Sequence, residues 1–414
     1  MNILFVHNNF PGQFHRLAVE LAADPSNRVV FLSHYSRKDV AVPGVERLQV
    51  PIPAKAPLVA EDQTPSLSRR KYLSLLDTGE RFADTMVALA KEGFRQDVVY
   101  GHVGFGCCIY APDIFPRAAH MGYFEWFYTN GADVEFFAGN KPVPLTTRAE
   151  NRQRNIGTLL SLQDCLLGVC PTRWQMEQHP PEFAHKLHVL HDGVDTQFFT
   201  PSKSPALRLE GVDLSATEEL VTYATRGLEP YRGFPTFYRS LPAILEARPR
   251  AHAVIMADDR TVYGAKRRDG KTWKEALLDE VSVDKSRVHF IPFQPYTQYR
   301  ELLRASAVHV YLTAPFVLSW SMLEAMSCGC LLVASDTEPV REVVRDGVNG
   351  FLTDFWDAGA LARCVTDCLE NRERLKPVRA NARRTIVDCY ALARLLPRQV
   401  SLVRLVAEMG RGLL

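Results

Sequence analysis

The stretch from His309 to Ser335, HVYLTAPFVLSWSMLEAMSCGCLLVAS, has the pattern of a strand, a loop, a helix and a second strand. Residues 309 to 313 are mostly apolar β-formers, and Pro315 ends this run. Residues 330 to 334 form a second short apolar run. Such a unit is typical of a parallel sheet, in which the loop and the helix N-terminus lie at the carboxyl edge where ligands bind.

The helix predicted inside this stretch covers Trp320 to Ser327. Ser319 or Ser321 is a suitable N-cap, and Gly329 follows the last turn, where a left-handed residue commonly ends a helix. The free N–H groups of a first helical turn attract phosphate, so this N-terminus is a candidate anion-binding site.

One acid, Glu324, lies within this helix among the apolar residues Met322, Leu323, Ala325 and Met326. An ionised carboxylate with such neighbours costs several kcal/mol unless it meets hydrogen-bond donors. We therefore interpret Glu324 as a buried, ligand-binding acid. The alternative is an ordinary exposed position on the helix.

Short apolar strands alternate with amphipathic helices in both halves of the chain. We predict an α/β fold with two Rossmann-like domains, whose parallel sheets face each other across a cleft. The predicted strands include Ile3–Val6, Arg28–Ser33, Asp97–Gly101 and Asp164–Cys170 in the first half, and Leu220–Thr225, Ala251–Met256 and Val288–Ile291 in the second. A further strand, which runs into an aromatic cluster, is predicted at Ala118–Tyr128, and a helix is predicted at Thr337–Asp346.

The boundary between the two halves is predicted at the turn HDGVD, residues 191–195, and the polar stretch that follows it to Thr217. Closure of the domains about this linker would exclude water from the cleft. We place the first domain at residues 1–197, the second at 198–390 and a C-terminal helix at 391–414.

Composition excludes several classes of function. The 414 residues include 49 Lys and Arg against 47 Asp and Glu, a formal net charge of +2, which gives no electrostatic case for nucleic acid as a partner. No run of 18 apolar residues predicts a membrane span, although a basic surface on the first domain leaves peripheral contact with the inner face of a membrane open.

The nine cysteines are an odd number without CxxC spacing, which is typical of free thiols in a reducing cytoplasm. The sequence has neither CxxC spacing nor an Asp-x-Asp motif, so it does not indicate a metal site. We therefore expect a cytoplasmic protein without a bound metal.

Two arginines, Arg226 and Arg232, flank a Gly-Leu-Glu-Pro loop directly after a predicted strand. Two guanidiniums at the carboxyl edge of a strand are well placed to bind a diphosphate. The alternative is an exposed loop that happens to carry two arginines.

Three positions in the first half are further candidates. His102 stands at a strand end before Gly104 and Gly106, where either a ligand contact or a structural role is open. Glu125 lies in the aromatic run YFEWFY, which suits either a sugar-binding surface or a core. Gly12 either serves turn geometry or lets a phosphate or sugar approach the backbone.

Seven motifs in this order along most of the chain resemble those of the retaining family 4 glycosyltransferases, which have two Rossmann-like domains (the GT-B type). They are NFPGQF at 9–14, GHVGFG at 101–106, YFEWFY at 123–128, PTRWQ at 171–175, HDGVD at 191–195, ATRGLEPYRGF at 224–234 and PFVLSWSMLEAM at 315–326.

The resemblance implies that the second domain holds a nucleotide-sugar donor, that the first faces the acceptor, and that the C-terminal helix packs back on the first. Glu324 matches the second acid of a paired-glutamate motif, which usually holds the ribose hydroxyls. Arg226 and Arg232 match a basic pair that usually contacts the donor diphosphate. Phe316 stands where the first acid of the motif usually touches the donor sugar.

The residues and the resemblance together give two sets of expected site residues. The catalytic set is Arg226, Arg232, Glu324, His102 and Glu125, of which the last two lie on the acceptor side. The donor-binding set is Gly12, Phe316, Ser319, Trp320, Ser321 and Ile291.

The implied activity is a retaining, metal-independent hexosyltransferase in bacterial glycan, glycolipid or glycoprotein synthesis. Arg226, Arg232 and backbone N–H groups near Ser319 to Ser321 would stabilise the charge on the departing diphosphate. The expected donor is a UDP-sugar first and a GDP-sugar second, with no separate cofactor. The acceptor is a glycan, a lipid-linked sugar or a protein.

Two alternatives remain open from the residues. One is a nucleotide-sugar epimerase on the same architecture, which would interconvert sugars without an acceptor. The other is a non-catalytic nucleotide-sugar-binding protein, which the replacement of an acid by Phe316 keeps open.

Overall fold

The computed structural model describes residues 1–36, 40–52, 67–205, 207, 214 and 217–412. The chain divides into two compact units. The first comprises Met1–Asp192 with Ala393–Leu414, and the second comprises Gly193–Leu392. Within the predicted linker, residues 206, 208–213 and 215–216 lie outside the described residues.

The first unit is built on a seven-stranded sheet in the order β3-β2-β1-β4-β5-β6-β7, with every pair parallel. Because β1, β4 and β5 are neighbours, the residues that follow these three strands lie side by side at the carboxyl edge. The strands are β1 (Asn2–Val6), β2 (Arg28–Ser33), β3 (Val45–Gln49), β4 (Val98–His102), β5 (Ala119–Tyr123), β6 (Leu167–Cys170) and β7 (Leu187–Val189).

Alternate residues of β1 enter two different hydrophobic cores, as expected for a strand that is covered on both faces. Ile3 and Phe5 belong to one core, and Leu4 and Val6 belong to the other. The helices of this unit are α1 (His15–Ala22), α2 (Leu67–Lys91), α3 (Ala111–Ile114), α4 (Asp133–Ala138), α5 (Leu145–Arg154), α6 (Ile156–Asp164) and α7 (Arg173–Glu177).

The second unit repeats the same strand order in a six-stranded parallel sheet, β10-β9-β8-β11-β12-β13. This is the order of doubly wound nucleotide-binding folds, and it makes β8 and β11 the central neighbours. The strands are β8 (Leu220–Gly227), β9 (His252–Asp258), β10 (Val288–Ile291), β11 (Val308–Tyr311), β12 (Leu332–Ser335) and β13 (Phe351–Thr353).

The helices of the second unit follow its strands, and a last helix returns to the first unit. Leu395, Val403, Val406 and Ala407 of this last helix are buried in the first unit's core. The helices are α8 (Phe234–Ala247), α9 (Trp273–Glu280), α10 (Tyr296–Ala305), α11 (Trp320–Ser327), α12 (Glu338–Arg341), α13 (Ala358–Glu370), α14 (Lys376–Cys389) and α15 (Leu392–Gly412).

The predicted α/β class with two Rossmann-like, parallel-sheet domains is confirmed. The helix Trp320–Ser327 has the predicted bounds, Ser319 is its N-cap, and Gly329 has a φ of +72°. All nine cysteines are free thiols, as predicted.

The expected strand from 118 to 128 is too long, because β5 ends at Tyr123. The Phe124 N–H still donates to the Val169 carbonyl oxygen of β6 at 2.7 Å, but at Glu125 and Tyr128 side chains bond the backbone. The Gln175 amide donates to the Glu125 carbonyl oxygen at 2.6 Å, and Asn155 bonds both the N–H and the carbonyl oxygen of Tyr128. The aromatic run is therefore a loop at the carboxyl edge of the sheet.

The helix expected from 337 to 346 is also too long, since α12 ends at Arg341. The Asn349 side chain accepts from the Arg345 N–H at 2.7 Å and donates to the Val343 carbonyl oxygen at 3.0 Å. These bonds take backbone groups that a longer helix would use.

Candidate active site

Two loops meet at the carboxyl edge of the second unit's sheet. The short 3₁₀ helix Pro230–Arg232 follows β8, and a loop leads from β11 into the N-terminus of α11. Because β8 pairs directly with β11, Arg232 and the start of α11 come together. Arg232, Ser319 and Ser321 line one depression in this unit, as does Tyr311.

Arg232 is only 6% exposed, and its guanidinium is fixed by the loop before α11. Its Nη1 atom lies 2.8 Å from the Thr313 hydroxyl, 3.0 Å from the Val317 carbonyl oxygen and 3.3 Å from the Tyr311 hydroxyl. All three acceptors are uncharged. In the part of the chain that the structure describes, no carboxylate forms a salt bridge with this guanidinium.

An aromatic cluster encloses the same guanidinium. The Tyr263 and Phe316 ring centroids lie 5.3 and 5.9 Å from its central carbon, and Phe316 also packs against Tyr231 at 5.4 Å. Burial lowers the pKa of Arg232, but the neighbouring Tyr311, Tyr263 and Glu229 outweigh it and leave the pKa raised. The site therefore holds a buried, permanently charged cation beside aromatic rings.

Glu229 fixes the loop that carries Tyr263. Its Oε2 atom accepts from the backbone N–H groups of Val262 and Tyr263, the latter at 2.6 Å. The carboxyl is fully buried, and burial raises its pKa. Glu229 thus helps to shape the site, because it holds residues 262–263 in place.

The N-terminus of α11 is capped by Ser319, whose hydroxyl accepts from the Ser321 N–H at 3.4 Å and lies 3.0 Å from the Ser321 hydroxyl. The Ser319 N–H donates to the Tyr311 hydroxyl at 2.9 Å. At the opposite end, Arg379 and Arg383 donate to the carbonyl oxygens of Gly329 and Ser327, both at 2.6 Å. Cations at the C-terminus complement the helix dipole, while the N-terminus stays favourable for an anion.

Glu324 is 6% exposed, which confirms the prediction that it is buried. Burial raises its pKa to about 7, and the neighbouring Tyr299 hydroxyl offsets this only in part. A carboxyl with this pKa changes its charge near neutral pH. Hydrogen-bond donors from a ligand would therefore favour its ionised form.

The structure does not bring every expected donor-side residue to this place. Phe316 is half-buried against Arg232, whereas Arg226 is exposed at the end of β8 and Trp320 is exposed in the first turn of α11. Ile291 ends β10, two strands away from β8, and its side chain is buried in the core of the unit.

A second group of polar side chains lies at the carboxyl edge of the first unit's sheet. His102 ends β4, and its Nδ1 atom accepts from the Gly104 N–H at 3.3 Å. A neutral ring in this setting carries its proton on Nε2, which lies 3.4 Å from Oε2 of Glu125. The structure thus places His102 and Glu125, the two residues expected on the acceptor side, in contact.

Two residues that the sequence analysis missed complete this group. His7, directly after β1, lies 2.7 Å from the Gln13 side-chain oxygen through Nε2, and the Gln13 amide donates to Oε1 of Glu125 at 2.9 Å. Burial opposes ionisation of Glu125, but the neighbouring His102 ring and the hydrogen bond from Gln13 hold its pKa below the usual value. Gly12 has a φ of +52°, and a Cβ there would lie 2.6 Å from His7 Nε2.

The position of His7 at a strand end is the signal that could have indicated it, since His102 was chosen on the same ground. Gln13 and Tyr311 carry no comparable signal. Within the described ranges, no group of three or more His, Cys, Asp or Glu side chains could hold a metal ion. None of the helices described has both the length and the hydropathy that crossing a bilayer requires.

Two family models match the chain, one in each half. Residues 25–199 match the glycosyl transferase family 4 group, and residues 212–385 match the glycosyl transferases group 1. D-inositol 3-phosphate glycosyltransferase from Mycobacterium sp. (strain JLS) is 27% identical over 184 residues, which cover 44% of this chain and 39% of that protein. The match therefore spans well under half the length of this curated relative.

Solved structures with the same fold cover nearly the whole chain. HepE from Anabaena in complex with UDP-glucose has a TM-score of 0.69 at 17% identity and covers 97% of this chain and 98% of its own. Sucrose-phosphate synthase from Thermosynechococcus elongatus has a TM-score of 0.72 at 16% identity and covers 98% and 99%. The fold is therefore that of the GT-B structures.

Proposed function

Because the chain is built from a glycosyl transferase family 4 group domain and a glycosyl transferases group 1 domain, we propose that it is a retaining glycosyltransferase. It moves a hexose from a nucleoside-diphosphate sugar to an acceptor hydroxyl, in the synthesis of a bacterial glycan, glycolipid or glycoprotein. The donor binds to the second unit, residues 193–392, and the acceptor binds to the first.

The observation that carries this proposal is the state of Arg232. A buried guanidinium is costly without an anionic partner, and here the hydrogen-bond acceptors around Nη1 are neutral. The N-terminus of α11 adds N–H groups beside it. A diphosphate would supply negative charge in direct contact with the guanidinium, because its oxygens suit both a guanidinium and a helix N-terminus.

Glu324 suits the ribose of such a nucleotide. Its carboxyl lies on α11, one turn beyond the capping serines, and is buried with a pKa of about 7. Hydroxyls that donate to the carboxylate would stabilise its ionised form. The donor we propose is a UDP-sugar, which is the ligand named for the HepE complex with the same fold.

The chain's own residues would assist departure of the nucleoside diphosphate. Negative charge builds on the diphosphate as the glycosidic bond breaks, and a preorganised cation in a water-poor site stabilises that charge strongly. Arg232 is such a cation, and the exposed Arg226, near the end of β8, would extend the contact. These two guanidiniums would supply the charge that a divalent metal supplies elsewhere, so transfer should persist in EDTA.

Product analysis with UDP-glucose tests this function. The protein should transfer glucose to an acceptor hydroxyl and give the α-anomer by NMR, with EDTA present. Interconversion of the sugar nucleotide without an acceptor would instead indicate an epimerase. Binding of UDP-glucose with no product from any acceptor would indicate a binding protein and contradict the proposal.

A further inference from the structure

Three side chains of the first unit, His7, Gln13 and Glu125, form one hydrogen-bonded chain, and His102 contacts the other oxygen of Glu125 at 3.4 Å. His7 follows β1, His102 ends β4 and Glu125 lies just after β5, while Gln13 belongs to the loop after β1. Both histidines are 2% exposed, so their hydrogen bonds are protected from water. We call these four residues the carboxylate-orienting cluster.

The backbone sets the direction of every hydrogen bond in this cluster. The Asn9 N–H donates to Nδ1 of His7 at 2.8 Å, so the neutral ring carries its proton on Nε2 and donates to the Gln13 oxygen at 2.7 Å. That bond turns the Gln13 amide group toward Oε1 of Glu125, 2.9 Å away. Burial lowers the pKa of His7 to about 3, which keeps its ring neutral.

The two oxygens of Glu125 therefore face one oriented donor each, Gln13 on Oε1 and His102 on Oε2. These contacts do not close off the Glu125 side chain, because 28% of it is exposed. An ionised carboxylate has about four lone-pair positions, so the cluster leaves acceptor capacity on the exposed side.

An exposed aromatic ring packs on His102, the residue that contacts Oε2 of Glu125. Phe105 is 37% exposed and stacks on the His102 ring, with centroids 4.7 Å apart. A carbohydrate offers hydroxyls to a carboxylate and a C–H face to a ring, and both are present here.

We propose that Glu125 and Phe105 bind a carbohydrate acceptor through one of its hydroxyls, and that His7 and Gln13 are positioning residues that fix the Glu125 carboxylate for it. This assignment rests on the proposed function, and it narrows the acceptor to a sugar ring. His7 and Gln13 act through Glu125 and do not touch the acceptor.

Gln13→Leu tests the positioning role, with Gln178→Leu as the matched control. Gln178 is part-buried on the same unit and makes a single amide bond to the Trp174 carbonyl oxygen at 3.1 Å. We expect Gln13→Leu to raise KM for the best acceptor among methyl and octyl hexosides at least about tenfold, as loss of a hydrogen bond to a charged group implies. The control should stay within about twofold, and UDP should raise the melting temperature of both variants equally.

Gln13→Glu separates positioning from a merely structural role. When protonated, this residue can accept from His7 and donate to Glu125 as Gln13 does; when ionised, it repels Glu125. Activity relative to wild type should therefore rise as pH falls. The groups facing Glu125 are His102, His7 and the Tyr123 hydroxyl, which donates to Asp192 at 3.1 Å, and they are the same in both proteins.

Phe105→Ala is the variant least able to disturb folding, since the ring is exposed, and it should raise acceptor KM at least about fivefold. If the wild type transfers sugar and both Gln13→Leu and Phe105→Ala keep the wild-type KM for the acceptor, this inference is overturned and the proposed function is not. A flat pH response of Gln13→Glu would overturn the positioning role. Absence of transfer by the wild type from any sugar nucleotide would overturn the proposed function and this inference with it.

Discussion

The Nη1 atom of Arg232 lies 3.3 Å from the hydroxyl oxygen of Tyr311. The same oxygen accepts the backbone N–H of Ser319 at 2.9 Å. One phenol at the end of β11 therefore joins the buried cation to the start of α11. The two features proposed to bind the diphosphate are held in a fixed relation by this hydroxyl.

Tyr311→Phe should raise KM for UDP-glucose about tenfold with a smaller change in stability, because the ring stays and only the shared acceptor is lost. Tyr238→Phe is the matched control, since the Tyr238 hydroxyl is buried in the same unit and has no hydrogen-bond partner among the described residues. Steady-state kinetics with both variants checks this. Equal KM values for the two would show that the hydroxyl of Tyr311 does not support the site.

Gly12→Ala should destabilise the first unit by about 2 kcal/mol more than Gly93→Ala. Both glycines have positive φ, +52° and +87°, but only at position 12 would the new Cβ meet His7, 2.6 Å from Nε2. The free energy of unfolding in urea measures the difference. Equal losses of unfolding free energy in the two variants would mean that only backbone strain destabilises them and that His7 can move away from the new Cβ without destabilising the fold.

Glu324→Gln should change how stability depends on pH. The pKa of Glu324 is raised from 4.5 to about 7, so its stabilising contribution is complete below about pH 4.5 and is lost as pH rises through 7. A shift of this size corresponds to about 3 kcal/mol. The side chain at position 324 of the variant stays neutral at every pH. The free energy of unfolding of Glu324→Gln should therefore rise by about 3 kcal/mol relative to that of the wild type between acid and mildly alkaline pH.

Urea denaturation across this pH range measures the difference. Glu246→Gln, an exposed position on α8, is the control and should follow the wild-type curve. A constant gap between Glu324→Gln and wild type at all pH values would show that Glu324 has the same pKa in the folded and unfolded chain.

The part of the fold that was predictable from sequence is the part decided by local signals. The helix Trp320–Ser327 has its N-cap, its apolar pattern and its terminal glycine within one short stretch, and its bounds were predicted correctly. The expected strand at 118–128 failed beyond Tyr123 because distant residues, Asn155 and Gln175, bond the backbone there. No pattern within the stretch itself reports such partners.

The candidate site residues also differ in whether a local signal in the sequence indicates them. Arg232 and Glu324 were found because a charged residue among apolar neighbours or glycines is conspicuous in the sequence. His7, Gln13 and Tyr311 were missed because their importance depends on which strands are neighbours, and the strand order becomes known only in the structure. Ile291 was expected to bind the donor, but its strand end is two strands away from β8 and its side chain is buried in the core of the unit.

The most direct test of the account is the affinity for UDP-glucose of Arg232→Met, measured by calorimetry beside Arg239→Met. Arg239 is half-exposed on α8 and pairs with Glu280 at 2.6 Å, so its loss removes a cation from the same unit but not from the site. We predict a Kd at least about 100-fold higher for Arg232→Met and a change within about twofold for the control. A folded Arg232→Met protein that binds UDP-glucose as tightly as wild type would contradict the account.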